Sequence, residues 1–352
     1  MRVTSPGLFR LVLALVVVVC HSIPVSLGST AVYIFFALSG YWIHALWMKT
    51  YRHAQRPYRV FLVSRAWRLL PVFYVAVALI LAARYVIGRE PVVPEQASAG
   101  FYLSHIFLLG YAQLDAGKLL VPAWSLDVEA QFYLVAPLVV AVACERKLVR
   151  CALVLVASAG LLRFFVGTNP TEGWLTDYLA FFLIGVFSSA YDWRPSKRLA
   201  ITAGAAGLLL IGALIALPAT RSIFVAGAHP GPLFWMNQQV SIILAFVFAP
   251  FAMYTVRQRG GQWDRDAGNI SYVLYLVHWV GVYVVQSFYP LPMAQKLLAL
   301  GAGWAAVGAV SWAIYVGIDR PLEKLRHAYV QRLTRAAANV RTQEAERAFP
   351  GR

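Results

Sequence analysis

Residues 8–28, LFRLVLALVVVVCHSIPVSLG, decide the fold. The run has the length of a helix that crosses a bilayer, about 20 predominantly apolar residues, yet it carries Arg10 and His21. At about 100° per residue, a separation of eleven positions comes to three turns plus roughly 20°, so the two side chains fall on one face about 16 Å apart along the axis. A cation and a proton-transferring group share one stripe of a hydrocarbon-compatible helix.

An Arg within a membrane helix costs roughly 2.5–3.5 kcal/mol on insertion scales, and such residues usually face the protein interior or a wet cavity. Taken alone, Arg10 also fits an anchor whose charged head snorkels to the interface, and His21 fits a histidine hydrogen-bonded to a neighbouring helix. The residues further along the chain shift that balance.

Apolar runs of span length recur through all 352 residues, of which 60% are hydrophobic and 13% charged. This is the composition of an all-α, polytopic transmembrane bundle; barrel strands would alternate in polarity, and these runs do not. The net charge of +16 sits mainly in short loops and in the C-terminal segment. That distribution reflects orientation and contact with anionic membrane lipid, and without a basic platform interleaved with aromatics nucleic acid is not expected as a partner. Cys20, Cys144 and Cys151 stand in apolar settings with no CxxC or Cys/His ligand spacing. Neither a disulfide framework nor a metal is therefore expected. Residues 8–28 lack a small-x-small cleavage site and run almost directly into a second apolar stretch, so the segment reads as retained.

About ten spans are expected, near 8–28, 30–48, 61–87, 128–144, 149–166, 174–190, 199–217, 234–255, 270–290 and 296–317, with eleven as the alternative. The strongly basic loop 49–59 should be cytoplasmic and the N-terminus with it, which leaves loop 88–100, GREPVVPEQASAG, outside. Residues 145–150 are basic again, and one crossing separates these loops only if 101–123 does not traverse. Residues 101–123, which include Asp115, are thus expected to be a re-entrant or interfacial element packed against protein. The later cytoplasmic loops then hold Arg194, Lys197 and Arg198, followed by Arg257, Arg259 and Arg265, and both termini lie inside. Residues 1–322 make the membrane domain. Residues 323–352 are a basic amphipathic cytoplasmic tail, part of a helix over 319–341 that sets Arg320, Lys324, Arg326, Arg332, Arg335 and Arg341 among Leu322, Leu325, Tyr329 and Leu333.

Five further groupings can carry chemistry. Arg65 and Arg68, at i and i+3, are neighbouring forked donors suited to a phosphate-bearing ligand, or ordinary positive-inside anchors. Ser125 and Glu129, at i and i+4, put a hydroxyl and a carboxylate on one face; Ser125 or Asp127 also fits an N-cap and Glu129 a first-turn acid. Ser39 and Gly40 sit in FFALSGYW, 35–42, where small residues allow close helix approach. Tyr275 and His278 share a face in SYVLYLVHW, 271–279, where they also fit a buried hydrogen-bonding pair. Asp177 is accounted for as a helix-start acid. No G-x-S-x-G, Walker or dinucleotide fingerprint is present.

In this order the pieces resemble the acyltransferase 3 family of integral membrane acyltransferases, which includes O-antigen, exopolysaccharide, Nod-factor and macrolide acyltransferases. The resemblance spans nearly the whole chain and rests on Arg10-x10-His21, FFALSG at 35–40, RAWR at 65–68 followed by Pro71, WSL-x-x-E with QFYL at 124–134, ISY-x-LYL-x-H at 270–278 and DRPL at 319–322. It implies transfer of an acyl group, commonly acetyl from acetyl-CoA, to a hydroxyl of a carbohydrate or glycolipid acceptor, in a bacterial inner membrane. It also implies that Arg10 and His21 are essential, that Arg65 and Arg68 serve the acyl donor and that Ser125 and Glu129 are functional; the residues are accordingly read with His21, Glu129 and Ser125 catalytic, Arg10, Arg65 and Arg68 toward the acyl-CoA co-substrate, and Ser39, Tyr133, Tyr275 and His278 supporting. Asp127 occupies a position usually small and polar, and Ala130 stands where a second Glu is common. No appended SGNH-type domain is expected, so transfer is completed within the membrane part, by a homo-oligomer or with a partner protein.

The mechanism expected from these residues holds the CoA phosphates on Arg65 and Arg68, with Arg10 assisting, while neutral His21 takes the proton of the attacking hydroxyl. Glu129 orients or charge-stabilises that imidazole, and Ser125 or Tyr275 donates to the oxyanion. A covalent acyl-histidine relay is a second route. The rival class is a transporter or flippase for a lipid-linked saccharide, which buried ionisable residues in many helices would also suit.

Overall fold

Long apolar runs bounded by Pro, Gly and basic turns give helices throughout the computed structural model, which describes residues 4–95, 97–114, 117–143, 146–166, 173–226, 231–287 and 292–348. Asp115 and Cys144 lie outside the described residues. The α-helices are α1 (Pro6–Ser22), α2 (Gly28–Lys49), α3 (Pro57–Ile87), α4 (Ala99–Phe107), α5 (Trp124–Ala143) and α6 (Lys147–Phe165). They continue as α7 (Leu175–Ala190), α8 (Lys197–Ala216), α9 (Asn237–Thr255), α10 (Gln262–Gln286), α11 (Met293–Ile314) and α12 (Arg320–Ala348). Among the described residues, seven helical segments are long and apolar enough to cross a membrane: those containing α2, α3, α6, α8, α9 and α10, and a single stretch from α11 into α12. Helices α1 and α7 are apolar but shorter. Leu208 and Leu209 of α8, Leu155 of α6 and Leu298 of α11 are more than 60% exposed, which turns a wide apolar belt outward.

Glycines set the closest contacts. A Cβ on Gly40 of α2 would overlap the Phe182 carbonyl of α7, and a Cβ on Gly185 of α7 would overlap the Ala37 carbonyl of α2. The two backbones therefore touch, and the aromatic stacks Phe36–Phe182 and Tyr33–Phe181, with centroids 4.7 and 4.5 Å apart, close the same seam. Gly7 of α1 likewise abuts the Asp264 carbonyl of α10. Asp264 accepts from the Leu8 amide at 2.9 Å and from the Ser5 hydroxyl, so a carboxylate on α10 satisfies the exposed donors that begin α1. Gly7 meets Asp264, Arg10 approaches Gly268 and His21 meets His278, so α1 and α10 run parallel.

The basic segments gather at one end. Arg326 donates to Ser64 at 2.9 Å, Tyr51 contacts Ser64 at 2.8 Å, and Arg257 joins Asp192 at 2.7 Å while lying over the Tyr41 ring. Between α3 and α5, α4 is nine residues long, too short to cross the hydrocarbon core. Phe101, Leu108, Tyr111 and Leu120 of this region are buried against protein. The fully buried Asp127 carboxylate accepts from the amides of Gly110 at 3.3 Å and Ala112 at 2.7 Å, so it secures the preceding loop and not the start of its own helix. Asp177, also fully buried, pairs with Arg163 at 2.9 Å, which goes beyond a helix-start role. Helices α11 and α12 join through a π-helical turn, Tyr315–Asp319, where Pro321 has no amide proton for the Gly317 carbonyl four residues back.

Replacing Gly185 by Val should destabilise the protein by about 1–3 kcal/mol through overpacking of the α2–α7 seam, whereas Gly212→Val, which meets nothing within 4 Å, should not. Thermal unfolding in detergent checks this; equal midpoints for the two variants would contradict the packing. A second expectation concerns the loop after α7. Hydrogen bonds from Arg194 and Arg257 hold the Asp192 carboxylate below its usual range. Its contribution to stability is therefore complete above an ordinary Asp pKa, about 4, and is lost as pH falls through the lower folded value. Unfolding followed from pH 6 downward should be less acid-sensitive in Asp192→Asn than in the parent chain.

Candidate active site

Five helices build one cavity of about 140 Å³. Arg10 comes from α1, Ser39 and Trp42 from α2, Arg65 and Arg68 from α3, Ser125, Glu129 and Tyr133 from α5, and Tyr272 and Tyr275 from α10. Of the ten residues singled out in the sequence, eight line it. His21 and His278 do not.

The carboxylate of Glu129 is held by hydroxyls. Ser39 Oγ donates to Oε1 at 2.6 Å and Tyr133 Oη donates to the same oxygen at 2.5 Å. Charge-assisted bonds of this kind are short and strong, and Tyr133, one turn along α5, fixes the rotamer from its own helix. Ser125 begins that helix. Its hydroxyl lies 2.8 Å from Tyr275 Oη and also donates to the Pro122 carbonyl at 3.0 Å, while Tyr275 donates to the same carbonyl at 3.1 Å. The Ser125–Tyr275 contact ties α5 to α10 across the cavity floor.

The arginines differ in how far they are neutralised. Arg65 donates to Tyr51 Oη at 2.7 Å and lies among the rings of Tyr51, Phe61 and Tyr133. Arg68 pairs with Asp319 of the π turn at 3.3 Å, with both side chains largely buried, and reaches Asn269 at 3.4 Å. Both forked donors at 65 and 68 therefore have protein partners. Arg10 has neither a hydrogen bond nor an ion pair among the described residues; its guanidinium rests 5.3 Å from the centroid of the Trp42 ring. Arg10 and Trp42 also line a second, wider space of about 450 Å³ at the basic end. They stand where the two spaces meet.

His21 and His278 form the wall of another cavity, about 70 Å³, between α1, α10 and α11. Their rings stack at 5.4 Å, and the Trp279 ring meets His21 edge-on at 5.2 Å. His278 is 1% exposed; Nδ1 lies 3.3 Å from the Leu274 carbonyl, and Nε2 is buried without a partner. His21 is on the exposed rim. Trp304 of α11 donates to the Ser22 hydroxyl at 3.1 Å beside it. The basic residues and His21, expected to act on one donor, thus line different cavities, and Glu129, expected to orient the His21 imidazole, is bonded instead to Ser39 and Tyr133 in the larger one. Tyr275 faces the larger cavity and His278 the smaller one, their rings 6.1 Å apart one turn along α10, so a single layer of side chains separates the two.

Three participants escaped the sequence reading. Trp42 closes FFALSGYW and drew no attention beyond packing; Tyr51 belongs to a loop read only for its charge. Asp319 begins the DRPL block, and that block was the one signal that could have found it. Among the described residues no group of three His, Cys, Asp or Glu side chains is arranged to hold a metal ion.

A family model for an acyltransferase domain matches residues 4–318. A protein of Komagataeibacter xylinus named as a membrane-bound transacylase, BcsY, is 28% identical over 89% of this chain and 81% of its own length. The O-acetyltransferase OatA of Staphylococcus aureus is 25% identical over 74% of the chain and 47% of its own length. The peptidoglycan O-acetyltransferase OatA of Listeria monocytogenes is 27% identical over 72% and 44%. The chain therefore spans about half the length of the OatA relatives. No solved structure matches. With apolar helices enough for repeated membrane crossing and a family match that takes in both cavities, the chain belongs to the acyltransferase 3 family and is a multi-pass membrane acyltransferase.

Proposed function

We propose that this protein moves an acyl group, acetyl in the simplest case, from acyl-CoA to a hydroxyl of a carbohydrate or glycolipid of the cell envelope. The observation that carries the reading is the convergence of Arg10, Arg65, Arg68, Ser125 and Glu129 on one cavity in a chain whose family transfers acyl groups. The envelope acceptor takes its support from the relatives, one of which is named for peptidoglycan. Buried charge would suit a transporter as well, and the family match is what favours the enzyme.

The donor enters at the basic end and passes Arg10, which has no direct ion pair among the described residues. An unneutralised guanidinium gains more from an anionic ligand than one already paired, since no existing bond has to break. Arg65 and Arg68 lie further in and line the path of the donor's thioester arm. The thioester then points along the α1–α10 seam toward Tyr275 and His278. The acceptor hydroxyl approaches His21 from the smaller cavity. As its oxygen attacks, the new C–O bond replaces the C–S bond, the proton passes to His21 and then to the departing CoA thiolate. An imidazole suits this because its ordinary pKa of about 6.5 lies near working pH. The Ser125–Tyr275 hydroxyl pair can donate to the oxyanion, and Glu129, fixed by Ser39 and Tyr133, orients the charged side of the site.

Two cavities divided by one layer of side chains have a mechanistic consequence. Either the Tyr275–His278 layer parts when both substrates are bound, or the acyl group crosses it in two steps through an acyl-histidine. Labelled acyl groups that remain on the protein without acceptor distinguish the second route. The proposed topology has ten spans, with α1, α5 and α7 added to the seven, and both termini on the cytoplasmic face of a bacterial inner membrane. Its support is the gathering of basic loops at one end. Residues 323–352 are proposed as the cytoplasmic tail beyond the membrane domain 1–322.

His21→Ala, given labelled acyl-CoA and a cell-wall glycan acceptor, should transfer about 10²–10⁴-fold more slowly, the usual contribution of general acid–base catalysis, with donor binding intact. Arg65→Ala should weaken donor binding instead. Wild-type transfer rates in His21→Ala would remove the base assigned here, and acceptor-dependent release of free CoA separates the enzyme from a flippase.

A further inference from the structure

Three cavities follow one another along α1 and α10, and the outermost differs from the other two. At about 450 Å³ it has roughly three times the room of the inner cavity and falls within the range of ligand sites, about 300–1,000 Å³. Its walls are the beginnings of α1, α10 and α12. Along α12, Arg320, Lys324 and His327 stand at i, i+4 and i+7, one face of a helix, and all three line the space.

Acids line it too, but each is already engaged. Asp264 accepts from the start of α1, Asp266 accepts from Tyr315 at 2.5 Å and Gln262 at 2.8 Å, and Glu323 is paired with Arg326 at 2.5 Å and His327 at 3.1 Å. Arg326 directs its remaining donor to Ser64, away from the space. Arg10, Arg320 and Lys324 have no hydrogen bond or ion pair among the described residues. Three cations with no direct ion pair thus border a chamber whose inner neck is Arg10 against Trp42, and the narrow cavity beyond the neck holds the acyl-transfer residues.

We propose that this vestibule is the binding site for the phosphate-bearing nucleotide end of the acyl donor, with Arg320 and Lys324 taking the terminal phosphate and Arg10 the phosphates nearest the neck. The inference rests on the acyl-CoA reading above and refines it: Arg65 and Arg68, already bonded to Tyr51 and Asp319, face the slender thioester arm and not the nucleotide. A wide, charged outer chamber and a narrow inner one match a ligand that is bulky and anionic at one end and thin and uncharged at the other. An anionic lipid headgroup offers the same phosphate chemistry, so the test must separate the two.

Purified protein in neutral detergent is titrated with labelled CoA, with 3′-dephospho-CoA, with acetyl-pantetheine, which lacks the nucleotide, and with phosphatidylglycerol. Removal of each cation by Arg320→Ala or Lys324→Ala should weaken CoA binding about tenfold, the value of a hydrogen bond to a charged group. The two variants should bind acetyl-pantetheine like the parent, and the loss should be smaller for 3′-dephospho-CoA. Unchanged CoA affinity in the double variant overturns the proposal. So does an equal loss for acetyl-pantetheine, which would mean general damage, or a loss confined to phosphatidylglycerol, which would make the site a lipid site. If the parent protein binds no CoA, the donor assignment itself falls; if CoA binds and only the variants fail to discriminate, the vestibule alone is wrong.

Discussion

The close approach of α1 and α10 governs everything at the site. Two helices can touch backbone to backbone only where a side chain is missing, and Gly7 supplies that gap against the Asp264 carbonyl. The Asp264 carboxylate then takes the Leu8 amide, so one residue sets both the distance and the axial position of α1. With its start fixed, the rest of α1 has no freedom of phase. Arg10 must emerge beside Gly268 and His21 beside His278. In a membrane, where lipid tails give no hydrophobic drive between helices, contacts of this kind and the hydrogen bonds around them are what specify the arrangement.

A consequence of that register is that the cation and the imidazole of the first helix serve different chambers. Charge is concentrated at one end of the seam and the two histidines toward the other. Between them stand the hydroxyls of Ser125 and Tyr275 and the carboxylate of Glu129, bonded to Ser39 and Tyr133. A polar interior of this size inside an apolar bundle is costly unless its groups are satisfied. Most are. Among the exceptions in the described residues are the Arg10 guanidinium, Arg65 Nε and His278 Nε2, all on residues that border the spaces where ligands would lie.

Much of this was legible in the sequence, for physical reasons that also mark where legibility stops. Each of the ten apolar segments contains a helix, because membrane-length apolar runs with Pro, Gly or basic ends have few other solutions. The i, i+3 and i, i+4 pairs at 65, 68, 125 and 129 share one cavity because helical spacing is fixed locally. The same arithmetic placed Arg10 and His21 on one face but could not say whether one space reaches both, since that depends on Tyr275 and His278 of a helix far along the chain. The beginning of α10 was missed outright: QWDRDAGN, residues 262–269, is too polar to read as part of a span. Yet it extends the helix past the apolar run and builds a wall of the vestibule. Trp42 and Asp319 belong to the same class, long-range partners with no short-range signature.

The π turn that joins α11 to α12 has a mechanical meaning. Leu300, Gly303, Trp304 and Val307 of α11 wall the chamber that contains His21, while Arg320, Lys324 and His327 of α12 wall the outer vestibule. Both walls belong to one continuous helical stretch, and Asp319, in the π turn between them, pairs with Arg68. The two chambers thus share one structural element, and should filling the first change the affinity of the second, filling the second would change that of the first by the same factor.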